Sequence, residues 1–207
     1  MIEFAVALTL WLLILSASGT VATLVAGRWA KKAGFAMQLT MFFLSLAVIE
    51  LMGGPQRFGL VPDFRYVPQA VVLGFGASLI INLLEGNPSV PMEEFMPEGV
   101  ERLVLLLILA PLGEEVFTRG LIEGYILGYG HFWSAILFSA LLFALPHWMA
   151  YEGSKKRKIV AVGGAFVLGS LAGYLFALGG IIPAIVLHSS ANLAGLIVLR
   201  FKEKNGN

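Results

Sequence analysis

The chain has 207 residues, of which 58% are hydrophobic and 13% charged, and its mean hydropathy of +0.85 excludes an ordinary soluble domain. A formal net charge of +1, with no arginine-rich or base-stacking motif, excludes nucleic acid as a partner. The absence of cysteine excludes thiol nucleophiles, cysteine-ligated zinc, disulfides and palmitoylation.

A run of about 20 apolar residues spans the hydrocarbon core of a bilayer. Such runs fall at 2–26, 35–52, 67–84, 100–128, 132–150, 159–178 and 181–200. The first, Ile2 to Ala26, begins with Glu3 and lacks the Lys/Arg-rich start of a signal peptide, so it reads as a retained helix. Arg28, Lys31 and Lys32 follow it, and Arg57 and Arg65 precede the third run. The stretch from Glu85 to Glu98 holds Pro88, Pro91 and Pro97 with Glu93 and Glu94, which rules out a continuous span and predicts a cytoplasmic loop or interfacial piece. Its acids read as a solvated loop, with attraction of a polybasic segment as the alternative. Pro97 and Glu98 suit the start of the next helix.

The run at 100–128 is longer than one span needs and places Glu114 near its middle; Gly113, Gly120, Gly124 and Gly128 predict close packing of a second helix. In the run at 132–150, Pro146 directly before His147 predicts a kink. Lys155, Lys156, Arg157 and Lys158 open the next segment, and Arg200, Lys202 and Lys204 close the chain. With seven spans the three basic segments share one side, which the positive-inside rule makes cytoplasmic, with the N-terminus outside; Arg57 and Arg65 count against this arrangement. The expected fold is all-α: a polytopic transmembrane bundle of about seven helices, one domain over 1–207 with a motif-bearing core at about 100–200. Its active site is expected in an intramembrane cavity among the last four helices, open to the cytoplasm from the plasma membrane.

An ionised side chain near the bilayer centre costs about 3 kcal/mol on insertion scales, so Glu114, Glu115, Arg119, His147 and His188 within these runs mark a functional site. Residues four apart share a helix face, which pairs Glu115 with Arg119 and Arg119 with Glu123. Glu114 has Thr118 at that offset and no basic neighbour. The expected division of labour leaves Glu115 neutralised and Glu114 available for chemistry. His188 and Asn192 face one way on the last helix. A carboxylate in a low-dielectric pocket is a competent base toward water, an imidazole can orient that water, and an imidazole with a carboxamide can donate to an oxyanion. These parts suffice to hydrolyse a peptide bond without a covalent intermediate. Ser139, Ser170, Ser189 and Ser190 read instead as packing residues at helix interfaces.

Three motifs in order give the chain its resemblance to a known family: Glu114-Glu115-Val116-Phe117-Thr118-Arg119, Phe143-Ala144-Leu145-Pro146-His147, and His188-Ser189-Ser190-Ala191-Asn192. With them the sequence resembles the CAAX protease and bacteriocin-processing family of intramembrane glutamate proteases, which includes the type II CAAX prenyl endopeptidases. The resemblance covers Val100 to Arg200. It implies that Glu114 and His147 activate water, that His188 and Asn192 form the oxyanion hole, and that Glu115 and Arg119 support the site. The implied partners are the lipid bilayer and a peptide or lipidated protein substrate, with C-terminal processing of prenylated CAAX-type proteins as the model reaction. No cofactor or metal is expected; zinc held by Glu114, His147 and His188 is the alternative on chemical grounds, although the usual two-histidine helical motif is absent. A proton-coupled transporter would use the same buried Glu/His set, and an immunity or scaffold protein would keep the fold without cleaving. Asn192 and the order of the motifs favour hydrolysis over transport, which a continuous polar path to both surfaces would favour instead, and the intact motifs argue against a role without cleavage.

Overall fold

The computed structural model of the chain describes residues 1–85, 96–150 and 154–205; Pro88, Pro91, Glu93 and Glu94 lie outside the described residues. Backbone breakers set the helix ends. Helix α1 (Ile2–Trp29) contains no proline and runs until Trp29 leaves helical geometry at φ −142°, ψ 73°. A 3-10 turn (Ala30–Lys32) then leads into α2 (Ala33–Leu51), which packs back on α1 as a hairpin. Gly53 and Gly54, at φ 124° and 89°, stop α2 in a region that glycine alone enters without strain. A second 3-10 turn (Pro55–Phe58) precedes α3 (Val67–Glu85). The long fourth helix, α4 (99–127), is α-helical except for two π-helical stretches, Leu105–Leu109 and Val116–Glu123.

The span anticipated at 132–150 is two helices, α5 (Phe132–Ala144) and the short α6 (His147–Ala150). The cause is Pro146, which has no N–H to continue the ladder, so the chain turns at Leu145 and Pro146 rather than kinking within one helix. Helix α7 (Lys155–Gly179) starts at Ser154, whose Oγ accepts from the Arg157 N–H at 3.5 Å, and Gly180, at φ 70°, turns it into α8 (Ile181–Asn205).

Four stretches are long and apolar enough to cross a membrane by length and composition: Ile2–Leu51, which holds α1 and α2, Phe132–Ala150, Lys155–Gly179 and Ile181–Lys202; Val67–Leu83 within α3 is a shorter apolar helix. No strand occurs among the described residues. The protein is an all-α, multi-pass integral membrane bundle. Leu13, Phe43, Val72 and Trp133 are among the large apolar side chains exposed on its outside, where acyl chains take the place of solvent. Helix α4 fills the middle, and every residue from 115 to 124 is buried.

Small residues let the helices approach. A Cβ on Gly74 would lie 2.2 Å from the Leu187 carbonyl oxygen, so α3 and α8 touch backbone to backbone. On α4, Gly113 meets Gln38 of α2, Gly120 meets Ile49 and Leu60, and Gly124 meets Phe58, which accounts for three of the four glycines singled out on that helix. Helices α2 and α4 therefore run in one direction, as do α3 and α8, where Ser78 also donates to the Ala191 carbonyl, whereas the contacts of Gly164 with Ile81 and of Gly179 with Tyr66 set α7 antiparallel to α3. This packing gathers the basic residues of the α1–α2 turn, the start of α7 and the end of α8 at one end of the bundle, with Arg57 and Arg65 at the other. At the first end Lys31 pairs with Glu98 and holds its carboxyl below the usual range, and Lys32 pairs with Glu101 at 2.5 Å. Glu98 precedes the first helical residue but makes no side-chain cap; its carboxylate goes to the lysine.

Candidate active site

The centre of the bundle is ionic. Arg119, Glu115 and Glu123 are almost wholly inaccessible. Arg119 Nε donates to Glu115 Oε2 at 3.0 Å, and its Nη1 donates to Ser139 Oγ at 2.8 Å and to Glu123 Oε2 at 3.4 Å. Ser139 in turn donates to Glu123 Oε2 at 2.6 Å, so this serine, expected as a packing residue, is a link in the network. The guanidinium also lies 5.3 Å from the centre of the Phe143 ring, within cation–π range. Gly169 and Gly173 of α7 make room for these groups: a Cβ on Gly173 would stand 2.6 Å from the Glu123 carboxylate. A buried pair of this kind is a positioning device more than a source of stability, because the desolvation of its charges offsets their attraction.

Glu115 reaches across to the last helix as well. Its Oε1 lies 2.8 Å from His188 Nδ1. A carboxylate only accepts, so Nδ1 carries the proton and Nε2 is the nitrogen turned toward chemistry. That nitrogen is 3.9 Å from Oε2 of Glu114. The other oxygen of Glu114 accepts from Gln38 Nε2 on α2 at 2.7 Å. Glu114 is thus held at one oxygen and open at the other, with 24% of its side chain accessible against 1% for Glu115.

His147 owes its position to the break before it. The Phe143 carbonyl, near the end of α5, lies 3.0 Å from His147 Nδ1. A carbonyl also only accepts, so in a neutral ring the lone pair of His147 sits on Nε2. The Phe143 ring stands between the two imidazoles, 5.0 Å from that of His147 and 5.6 Å from that of His188, the latter edge-on. His147 is also near enough to Glu114 and His188 to interact with both electrostatically.

The third motif grips α4 at its first π-helical stretch. Asn192 donates one amide N–H to the Leu106 carbonyl at 2.8 Å, and Ser189 donates to that of Leu107 at 2.9 Å. A π turn shifts the backbone ladder by one residue and frees carbonyls, which these side chains from α8 satisfy. Thr118 does the same for the Glu114 carbonyl at 2.6 Å. Beside these contacts lies a cavity of about 200 Å³ between α3, α4, α7 and α8. Glu115, His147, His188 and Asn192 line it, with Phe143. Glu114 and Arg119 do not line it; Glu114 faces the Nε2 of His188, which does.

Residues 97–194 match the family described as type II CAAX prenyl endopeptidase Rce1-like. Over this region, a little under half of its length, the chain is similar to the Rce1-like family. No match was found among curated proteins or among solved structures. The Rce1-like region runs from the residues just before α4 into α8, and it contains all six residues named from the motifs. At family level this similarity supports a CAAX-type intramembrane protease. Gln38 lies outside the Rce1-like region, on α2, and reading the sequence missed it. The available signal was a lone carboxamide in the middle of an apolar run, which calls for a partner at membrane depth. Among the described residues no group of three His, Asp or Glu side chains is arranged to hold a metal ion.

Proposed function

We propose that the chain hydrolyses a peptide bond near the C-terminus of a prenylated or similar membrane-bound substrate, with Glu114 as the base toward water. The observation that carries this reading is the unequal treatment of the two adjacent glutamates. Glu115 is saturated by Arg119 and His188, whereas Glu114 keeps one oxygen open beside His188 Nε2. Water placed between Glu114 and His147 gives its proton to the Glu114 carboxylate as its oxygen attacks the scissile carbonyl carbon. The electron pair of the carbonyl moves onto oxygen, where the second amide N–H of Asn192 and a protonated His188 Nε2 donate to it. Collapse of the tetrahedral species breaks the C–N bond, and the proton held by Glu114 passes to the leaving amine. Gln38 keeps the Glu114 carboxylate aimed, as Glu115 keeps His188 aimed. Proton transfer of this kind contributes about 10²–10⁴-fold, and two oxyanion donors a comparable factor.

The gathering of Lys31, Lys32 and Lys155 to Lys158 at one end of the bundle supports, under the positive-inside rule, an orientation with that end in the cytoplasm and the protein in the plasma membrane. The cavity extends toward that end, past Arg102 and Leu199. Whether the water is activated by Glu114 alone is tested by Glu114→Gln in purified protein, with a farnesylated peptide as substrate. We expect a loss of activity of at least about 10²-fold with the same elution profile and unfolding temperature. Full activity should persist in 1,10-phenanthroline and EDTA, at roughly millimolar chelator, far above trace zinc. Cleavage that survives Glu114→Gln removes the base from this mechanism, and cleavage abolished by chelation and restored by zinc replaces it with a metal-bound water.

A further inference from the structure

The outer part of the cavity holds a group that the hydrolytic chemistry does not use. Arg102, near the start of α4, lines it together with Asn82, Asn192, Leu196 and Leu199. The Arg102 Nε is buried and has no hydrogen-bond partner among the described residues. Its neighbours in sequence are already committed, Glu98 to Lys31 and Glu101 to Lys32. Arg102 as a whole is half-buried, so a ligand entering the cavity can still reach its guanidinium. A buried donor without an acceptor is costly, and a ligand that brings the acceptor removes that cost.

Charge complementarity identifies the ligand. Arg102 is the one permanently charged cation among the described lining residues, and the one carboxylate there, Glu115, is taken by Arg119 and His188. The site therefore suits an anion, and the planar fork of a guanidinium matches a carboxylate. We infer that Arg102 receives the free C-terminal carboxylate of the substrate, so that the position of cleavage is measured from the end of the peptide. This rests on the peptidase reading above and adds to it the residue that reads the substrate's end. The spacing agrees. Arg102 lies one turn from Leu106, whose carbonyl meets Asn192, and Asn192 lies one turn from His188. Two turns are about 11 Å, the length of roughly three extended residues between the scissile bond and the carboxylate.

The test compares a fluorophore-labelled farnesylated peptide, with cysteine fourth from its end, as the free acid and as the C-terminal amide. Cleavage is followed in the wild-type protein and binding in the Glu114→Gln protein, each with and without Arg102→Gln. The acid should be preferred by about 10- to 100-fold in kcat/KM and in Kd, the range expected for a charge-assisted hydrogen bond. Arg102→Gln should abolish the preference, and Arg102→Lys should restore only part of it. Equal handling of acid and amide, no saturable binding of the acid, or a preference that survives Arg102→Gln overturns the inference. So does an Arg102 effect that instead follows the phosphatidylglycerol content of the vesicles, which would make the residue a lipid contact. If Arg102→Gln does not fold, the acid–amide comparison in wild type decides. Absent cleavage with an intact binding preference would remove the peptidase reading and leave Arg102 assigned; cleavage with no preference does the reverse.

Discussion

Gln38→Met separates a positioning role from a structural one. The Gln38 carboxamide makes one hydrogen bond to protein, from Nε2 to Glu114 Oε1 at 2.7 Å, while its Oε1 is buried without a partner among the described residues. Methionine has nearly the same length and volume and fits the narrow gap against Gly113, where a Cβ on that glycine would stand 2.5 Å from the Gln38 oxygen. The change removes one satisfied donor and one orphaned acceptor, so the two effects on stability oppose each other and the net shift should stay within about 1 kcal/mol. Activity has no such offset. A hydrogen bond to a charged group is worth about 1.5–3 kcal/mol, so kcat/KM should fall about 10- to 150-fold, mostly in kcat, because the bond aims the base and does not touch substrate. The assay is steady-state cleavage of a farnesylated peptide in detergent, run beside a thermal unfolding curve. Activity within twofold of wild type would refute the reasoning and make the contact incidental. Equal losses in stability and activity would recast Gln38 as a packing residue.

Arg119→Met leaves Glu115 and Glu123 buried without their cation, which should cost about 3–5 kcal/mol and lower the unfolding temperature sharply; Glu123→Gln in the same chain should recover part of it, and an unchanged unfolding curve would show that the network contributes nothing. Pro146→Ala restores a backbone N–H and allows α5 to run on into α6, which rotates His147 away from the Phe143 carbonyl. Activity should drop at least about tenfold with stability equal or higher, and wild-type activity would mean that the break does not position the imidazole.

What could be read from the residues and what could not divides along a physical line. The pairing of Glu115 with Arg119 and Glu123 follows from helical spacing within one segment, and it stands at 3.0 and 3.4 Å in the folded protein. The apolar runs translate into the helix order for the same reason, since each run is a local property of the chain, except that Pro146 divides the run at 132–150 into α5 and α6. The contacts that decide which glutamate is free are not local. Gln38 meets Glu114 across 76 residues and His188 meets Glu115 across 73, and both depend on how far α2 and α8 slide along α4. That register is set by where glycines let backbones touch, as at Gly113 and Gly74, and glycine spacing alone does not say which partner arrives. The π-helical stretches were hidden for the same reason. Nothing in Leu105–Leu109 favours a widened turn by itself; the freed carbonyls of Leu106 and Leu107 are tolerated because Asn192 and Ser189 reach them from α8. The third motif therefore has two tasks on one helix. Its histidine faces the glutamates, and its asparagine and first serine hold open the turn of α4 that leads to them, so a substitution at Asn192 acts on the shape of the site as well as on its chemistry.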